Sequence, residues 1–258
     1  MKKHLLLLVA ALSLASCATL NTERLLQSGM YAVQALTLSD AQVQEYVHEY
    51  ITQLDAQSTV LPENNAYTKR LRTLTKGLDG VNEVPLNFKV YKQDEINAFA
   101  CADGSVRVYT GIMDVMTDNE LLGVIGHEIG HVAMSHTKRQ MQSSILTNAA
   151  LQGLASTSDK VAALTDSQLG ALGEAIVNAQ FSKRQESEAD DFSYNFLVAA
   201  GRNPWALVMS FEKMQAMSAS GGTSNAISNL FSSHPDTATR IERISQRCVT
   251  DGYNRPTK

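Results

Sequence analysis

The chain has 258 residues with a formal net charge of −4, and 44% of its residues are hydrophobic against 19% charged. That balance suits one good-sized domain with a real core, carried with a short tail. Lysines and arginines are scattered without a basic stripe, which excludes nucleic acid as a partner.

Residues 1–16 have the layout of a secretory signal. Lys2 and Lys3 precede an apolar run from Leu5 to Leu14 that is too short to span a bilayer comfortably, and the small residues Ala15 and Ser16 follow. Leu14-Ala15-Ser16-Cys17 resembles a bacterial lipobox, which implies cleavage before Cys17 and lipidation of that cysteine. With Ala rather than Asp at position 18, the same resemblance implies an anchor in the outer membrane, facing the periplasm. Residues 17–38 then read as a lipidated tether, 39–250 as the folded domain and 251–258 as a tail. In an oxidising compartment the remaining cysteines, Cys101 and Cys248, tend to pair; a disulfide and two buried free thiols are both open readings.

Ser39-Asp40-Ala41-Gln42 is a capping box, and Val43, Val47, Tyr50, Ile51 and Leu54 follow at helical spacing, so a helix is predicted that ends before Pro62. A second helix is predicted from about Glu63 to Leu78, closed by Gly77 and Gly80. Leu86 to Tyr91 alternates as a half-buried strand does. Asn97 to Cys101 and Val106 to Tyr109 flank Ala102-Asp103-Gly104-Ser105, a hairpin signal. The expected fold class is mainly α with a small antiparallel β-sheet (α+β). An open edge of that sheet suits an extended substrate, while an ordinary hairpin carries no such role.

Thr117-Asp118-Asn119-Glu120 is a second capping box, opening a helix that carries Leu121, Leu122, Val124 and Ile125 and then His127-Glu128-Ile129-Gly130-His131. A helix turns about 100° per residue, so His127 and His131 share a face and reach one metal, with Glu128 beside them. Gly130 in a helix interior costs about 1 kcal/mol relative to Ala, which points to close approach of another backbone, either a packed helix or a substrate strand. His136 is nine residues from His127, about 180° round the helix, and so is not expected to bind the same metal. His48 sits on an ordinary amphipathic helix; both are expected to be structural or exposed.

Residues 143–164 are weakly specified, and a helical pattern resumes from Ser167 to Phe181. Ser182-Lys183-Arg184-Gln185 recaps a helix running to Ala200, and Asn203-Pro204-Trp205 opens another. Residues 218–233 form a Gly/Ser/Asn-rich loop expected to be mobile, and His234-Pro235-Asp236 leads into a last helix with Arg240, Ile241 and Ile244. A catalytic zinc typically takes three protein ligands and keeps one position for water, so a carboxylate or histidine is sought on a second helix. Glu186 and Asp190 are four apart and share a face; Glu188 lies about 200° round from Glu186 and cannot join them. That face offers Glu186 as the zinc carboxylate and Asp190 as the acceptor for the other N–H of His127.

Taken in order, His127-Glu128-Ile129-Gly130-His131, Glu186-Ser187-Glu188-Ala189-Asp190 and His234-Pro235 resemble peptidase family M48. Asn97-Ala98-Phe99-Ala100, Val108-Tyr109-Thr110-Gly111 and Asp118-Asn119-Glu120 extend the match, and from about Ser39 to Arg247 the chain is similar to the family's small periplasmic lipoprotein branch. The resemblance implies a gluzincin-type metallopeptidase domain with one Zn2+ held by His127, His131 and Glu186, and a zinc-activated water with Glu128 as general base. It implies polypeptide substrates, in particular unfolded or misassembled envelope proteins, and envelope assembly or protease partners. The alternative is a chaperone or assembly factor for outer-membrane proteins with latent peptidase activity. His234 lies near the site in the family, either as oxyanion stabiliser or as a fourth zinc ligand. Arg240 is a further candidate, for transition-state charge or for holding the acidic helix. Other branches of the family span the membrane several times, whereas no run of about 20 apolar residues follows the signal here, which argues against an integral prenyl-peptidase role.

Overall fold

The structure is a computed structural model that describes residues 39–140, 142–143, 180–219, 234 and 237–256. The signal segment, Cys17, the tether, the weakly specified stretch and the heart of the Gly/Ser-rich loop lie outside the described residues. The chain divides into two units, Met1–Leu38 with Gln142–Leu164 and Ser39–Met141 with Thr165–Lys258, and the helices and strands named below belong to the second.

Helix α1 (Asp40–Gln57) begins at the predicted box: Ser39 accepts from the Gln42 N–H, and Gln42 accepts from the Ser39 N–H. Its buried stripe is Val43, Val47 and Ile51, at the four-residue spacing of one helix face. Helix α2 (Ala66–Leu74) is shorter than its sequence pattern, because the Asn65 side chain accepts from Tyr67 N–H and so caps the helix later than Glu63. Strands β1 (Gly80–Val81) and β2 (Val84–Pro85) make a two-residue hairpin. Strands β3 (Asn87–Tyr91), β4 (Ala98–Ala100) and β5 (Ser105–Tyr109) form a sheet in the order β3-β5-β4.

The β4–β5 hairpin is antiparallel as its turn residues predict, with Phe99 opposite Arg107, but β3 runs parallel to β5, with Lys89 opposite Arg107. The sheet is therefore mixed rather than antiparallel. Ser105 to Val108 of β5 are all buried, so this strand takes the centre and β3 lies on its far side after a crossover. Arg107 is buried there, and its guanidinium donates to both oxygens of Asp55 at 2.8 and 3.0 Å. Lys89 and the Tyr91 hydroxyl converge on the same carboxylate, pinning α1 to the sheet. Burial alone would raise the Asp55 pKa, but Arg107, Lys89 and Tyr91 hold it below the ordinary range.

After α3 (Thr110–Val115) comes the central helix α4 (Asp118–Ala133), in which every residue from Glu120 to Val132 is buried. A helix buried on all sides needs neighbours on all sides. They are β1, β4, β5, α5 (Lys183–Ala199) and α6 (Trp205–Ala219). Close packing is possible because α4 carries glycines where its neighbours cross. A Cβ on Gly123 would stand 3.2 Å from the Leu207 Cα of α6, and one on Gly130 would stand 3.0 Å from the Ala189 carbonyl of α5. The backbone that approaches Gly130 is thus a packed helix. The last helix, α7 (Thr237–Thr250), lies on α5 and α6, and the following residues run back so that Tyr253 O accepts from Trp205 Nε1 at 2.9 Å.

Cys101 and Cys248 are both free and buried, so the disulfide reading is corrected to two unpaired thiols. Cys248 packs in the main core on α7, while Cys101 opens the β4–β5 turn with its N–H donating to Ser105 O and its carbonyl accepting from Gly104. Each thiol is thus held by its own element. Burial pushes the Cys248 thiol up to about 11 and the Cys101 thiol higher still.

The α4 cap is reinforced from α6. Glu120 accepts from Thr117 and from Lys213 Nζ; burial would raise its pKa, but these donors hold it below 4.5. Its stabilising contribution is therefore full above the ordinary carboxyl value and is lost as pH falls from there through the lowered folded-state value. Glu120→Gln can keep the capping box but loses the charge that faces Lys213, and is expected to cost about 1 kcal/mol near neutral pH. The gap in melting temperature between the two proteins should narrow as the pH falls below the ordinary carboxyl value.

Candidate metal centre

His127 and His131 sit one turn apart on α4, and their Nε2 atoms lie 3.1 Å from each other. From α5, the Glu186 carboxylate places Oε2 3.5 Å from His127 Nε2 and Oε1 3.5 Å from His131 Nε2. His234, shortly before α7, brings Nδ1 to 3.3 Å from His127 Nε2 and 3.0 Å from Glu186 Oε1. These four residues each offer a donor atom, all within 4.8 Å of one another. Tetrahedral zinc with bonds of about 2.0–2.1 Å sets neighbouring donors about 3.3 Å apart. These contacts of 3.0–3.5 Å match that spacing, and imidazole with carboxylate is a zinc donor set. The residues present fit the metal.

The surroundings aim the donors. His127 Nδ1 lies 3.0 Å from Asp190 Oδ1, the contact expected from the shared face of Glu186 and Asp190. Arg240 binds Asp190 with two hydrogen bonds, of 2.9 and 2.7 Å, and places its third nitrogen 2.5 Å from Glu186 Oε2. Its guanidinium lies over the Phe211 ring at 4.4 Å. Of the two roles open to Arg240, holding the acidic helix is the one its contacts serve. Arg243 and Arg247 continue the pattern, both donating to Asp191.

Burial opposes charge on all these groups, and at Asp190, Glu186 and His127 the partners overcome it. Burial would lift the Asp190 carboxyl, yet Arg240 and His127 hold it down to about 2. Against the same penalty His234 and His127 hold Glu186 far below the usual range. Burial would lower His127, but Asp190 and Glu186 raise it to about 9. His131 is held well below its ordinary value by burial and by the neighbouring His127. The two carboxylates thus favour a cation at this point, whether a proton on His127 or a metal ion in its place.

Glu128 is buried beside the cluster without belonging to it. Burial raises its pKa, and its Oε1 has no hydrogen-bond partner among the described residues. His234 Nε2 is 3.6 Å away.

Two neighbours were not assigned to the site from the sequence. Phe181 stacks on the His131 ring with centroids 3.9 Å apart. His136 is buried against His131, not on the far side of the helix, because α4 stops at Ala133 and Ser135, at φ 54°, turns the chain back. A Ser in that conformation has no strong sequence signal. His136 stays outside the set of converging donors. His48 is largely exposed, 3.4 Å from Asp103.

Arg240→Met would leave Asp190 buried without its main counter-charge. In excess chelator the variant is expected to lose about 3–5 kcal/mol of stability, read from urea unfolding.

Residues 62–248 match the family described as Peptidase family M48. The chain is 44% identical to Metalloprotease LoiP of Escherichia coli (strain K12), over 95% of this chain and 97% of that one. It is 39% identical to Metalloprotease YcaL of the same strain, over 97% and 99%. It is 32% identical to the Beta-barrel assembly-enhancing protease of that strain, over 69% of this chain but only 38% of that protein.

Proposed function

Because the chain belongs to peptidase family M48 and is a metalloendopeptidase, we propose that it is a zinc endopeptidase of the bacterial envelope, with His127, His131 and Glu186 as metal ligands and Glu128 as general base. The observation that carries this reading is the convergence of those donors beside Glu128 Oε1, a buried oxygen without a hydrogen-bond partner among the described residues. A zinc ion held there acidifies water and polarises a carbonyl. The protein's own groups do the rest. Asp190 accepts from Nδ1 of His127 and so leaves Nε2 free to coordinate. Glu128 takes a proton from the attacking water and hands it to the leaving amine.

Two features support polypeptide binding in extended form. β4 is an edge strand packed beside α4, where a substrate strand can add to the sheet. The wall beside Glu128 is apolar, built by Val124, Phe211 and Met214 around a space of about 20 Å³, and offers contact to an apolar side chain next to the scissile bond. Unfolded or misassembled envelope proteins offer both, and likeness to a protein named for β-barrel assembly supports that class. The lipobox ending at Cys17 supports an outer-membrane lipid anchor. Among the described residues no helix is long and apolar enough to cross a membrane.

His234 favours a further element, latency. With its Nδ1 in the cluster the protein supplies four donors, whereas a catalytic zinc keeps one position for water. In this arrangement the site rests closed, and cleavage requires the imidazole to withdraw. Such a resting state also suits an assembly factor whose peptidase is held in reserve.

The parent protein is expected to carry zinc, and Glu128→Gln should keep the metal while casein cleavage falls at least about 100-fold. His234→Ala should cleave casein several-fold faster than the parent. Absence of zinc from the purified protein, or cleavage indifferent to chelator, sinks the zinc-peptidase reading. A slower His234→Ala enzyme sinks latency and assigns that imidazole to the oxyanion.

A further inference from the structure

His131 turns Nε2 to the donor cluster, and its other ring nitrogen, Nδ1, lies 3.0 Å from Nδ1 of His136. His136 is fully buried, with Nε2 at 2.9 Å from Glu188 Oε2. Glu188 is one-third exposed, and its Oε1 accepts from the surface residue Arg184 at 2.8 Å. The contacts therefore run unbroken from a proposed metal ligand to a carboxylate at the protein surface.

The positions of the protons in this chain are forced. A ring nitrogen that coordinates metal carries no hydrogen, so a neutral His131 carries its proton on Nδ1. Nδ1 of His136 must then accept, which leaves that ring's proton on Nε2. Nε2–H donates to Glu188, an ionised carboxylate that only accepts. Reversing any link would put the His131 proton on the nitrogen that faces the metal.

The geometry points to His136 and Glu188 as positioning residues, a relay that holds His131 in its metal-binding tautomer and orientation from the surface of α5. This rests on the reading of His131 as a ligand. Through Nδ1, His127 reaches its carboxylate, Asp190, directly, whereas Nδ1 of His131 reaches Glu188 through an interposed imidazole. Helix α5 thus serves the site from two sides, with Glu186 and Asp190 on one face and Glu188 on the other.

Packing and hydrogen bonding make opposite demands on position 136, which separates them. His136→Phe keeps the bulk of the ring and removes the acceptor; His136→Asn loses bulk and keeps an acceptor oxygen near the place of Nδ1. The full chain is titrated with Zn2+ against a chromogenic chelator. The zinc dissociation constant is expected to rise about 10–100-fold in His136→Phe. It should rise no more than about threefold in His136→Asn, and about fivefold in Glu188→Ala, where the altered side chain sits at the surface. The relay is overturned if His136→Phe binds zinc like the parent, or if His136→Asn is weakened as much as His136→Phe. If neither His136 variant folds, parent-like zinc binding by Glu188→Ala overturns it. A parent protein that binds no zinc defeats the ligand reading itself, while a zinc-binding parent with indifferent variants defeats the relay alone.

Discussion

The site depends on how closely two helices approach. Gly126 and Gly130 leave α4 bare where α5 crosses it, and a methyl group at Gly130 would press on the Ala189 backbone. Ala189 lies between the two carboxylates that matter, three residues after Glu186 and next to Asp190. The contact that brings the backbones together therefore also delivers Glu186 to the imidazoles and Asp190 to the back of His127. A longer side chain at either glycine would lift the carboxylates away from the histidines. The cost of about 1 kcal/mol for a glycine inside a helix is offset by burial along the whole crossing.

That approach creates an electrostatic demand which α7 meets. Glu128, Glu186 and Asp190 are all buried, and buried carboxylates without counter-charge are strongly unfavourable. Arg240 answers with a forked contact to Asp190 and a reach to Glu186, its flat face against Phe211. It stands at the first turn of α7, with Ile244 and Cys248 behind it as the buried stripe of the same helix. His234 precedes that helix by a short segment, so the ion pairs that hold α7 on α5 also set where this imidazole arrives. Charge compensation and the fourth donor are consequences of one docking event.

The parts of the site legible in the sequence are those that depend on local repeats. Capping boxes at Ser39, Thr117 and Ser182 mark helix starts to the residue, because a cap is made by side chains and amides within a few positions of each other. His127 with His131, and Glu186 with Asp190, fall on shared faces because a helix fixes the angle between residues four apart. The β4–β5 hairpin follows from Asp103-Gly104 for a similar reason. Illegible were features that depend on where the chain departs from regularity. His136 belongs to the site because α4 stops at Ala133, and the free thiols of Cys101 and Cys248 follow from elements that each bury their own sulfur.

By itself, then, the sequence determined where the capped helices begin and which histidines and carboxylates share a helix face, since both are settled by spacing along a regular backbone. Tertiary structure decided that β3 joins its sheet in parallel, that Arg107 and Arg240 are interior rather than surface charges, and that His234 and His136 reach the histidine pair. Those outcomes depend on distances between segments far apart in the chain. They are set by burial and charge pairing, which no local pattern of residues encodes.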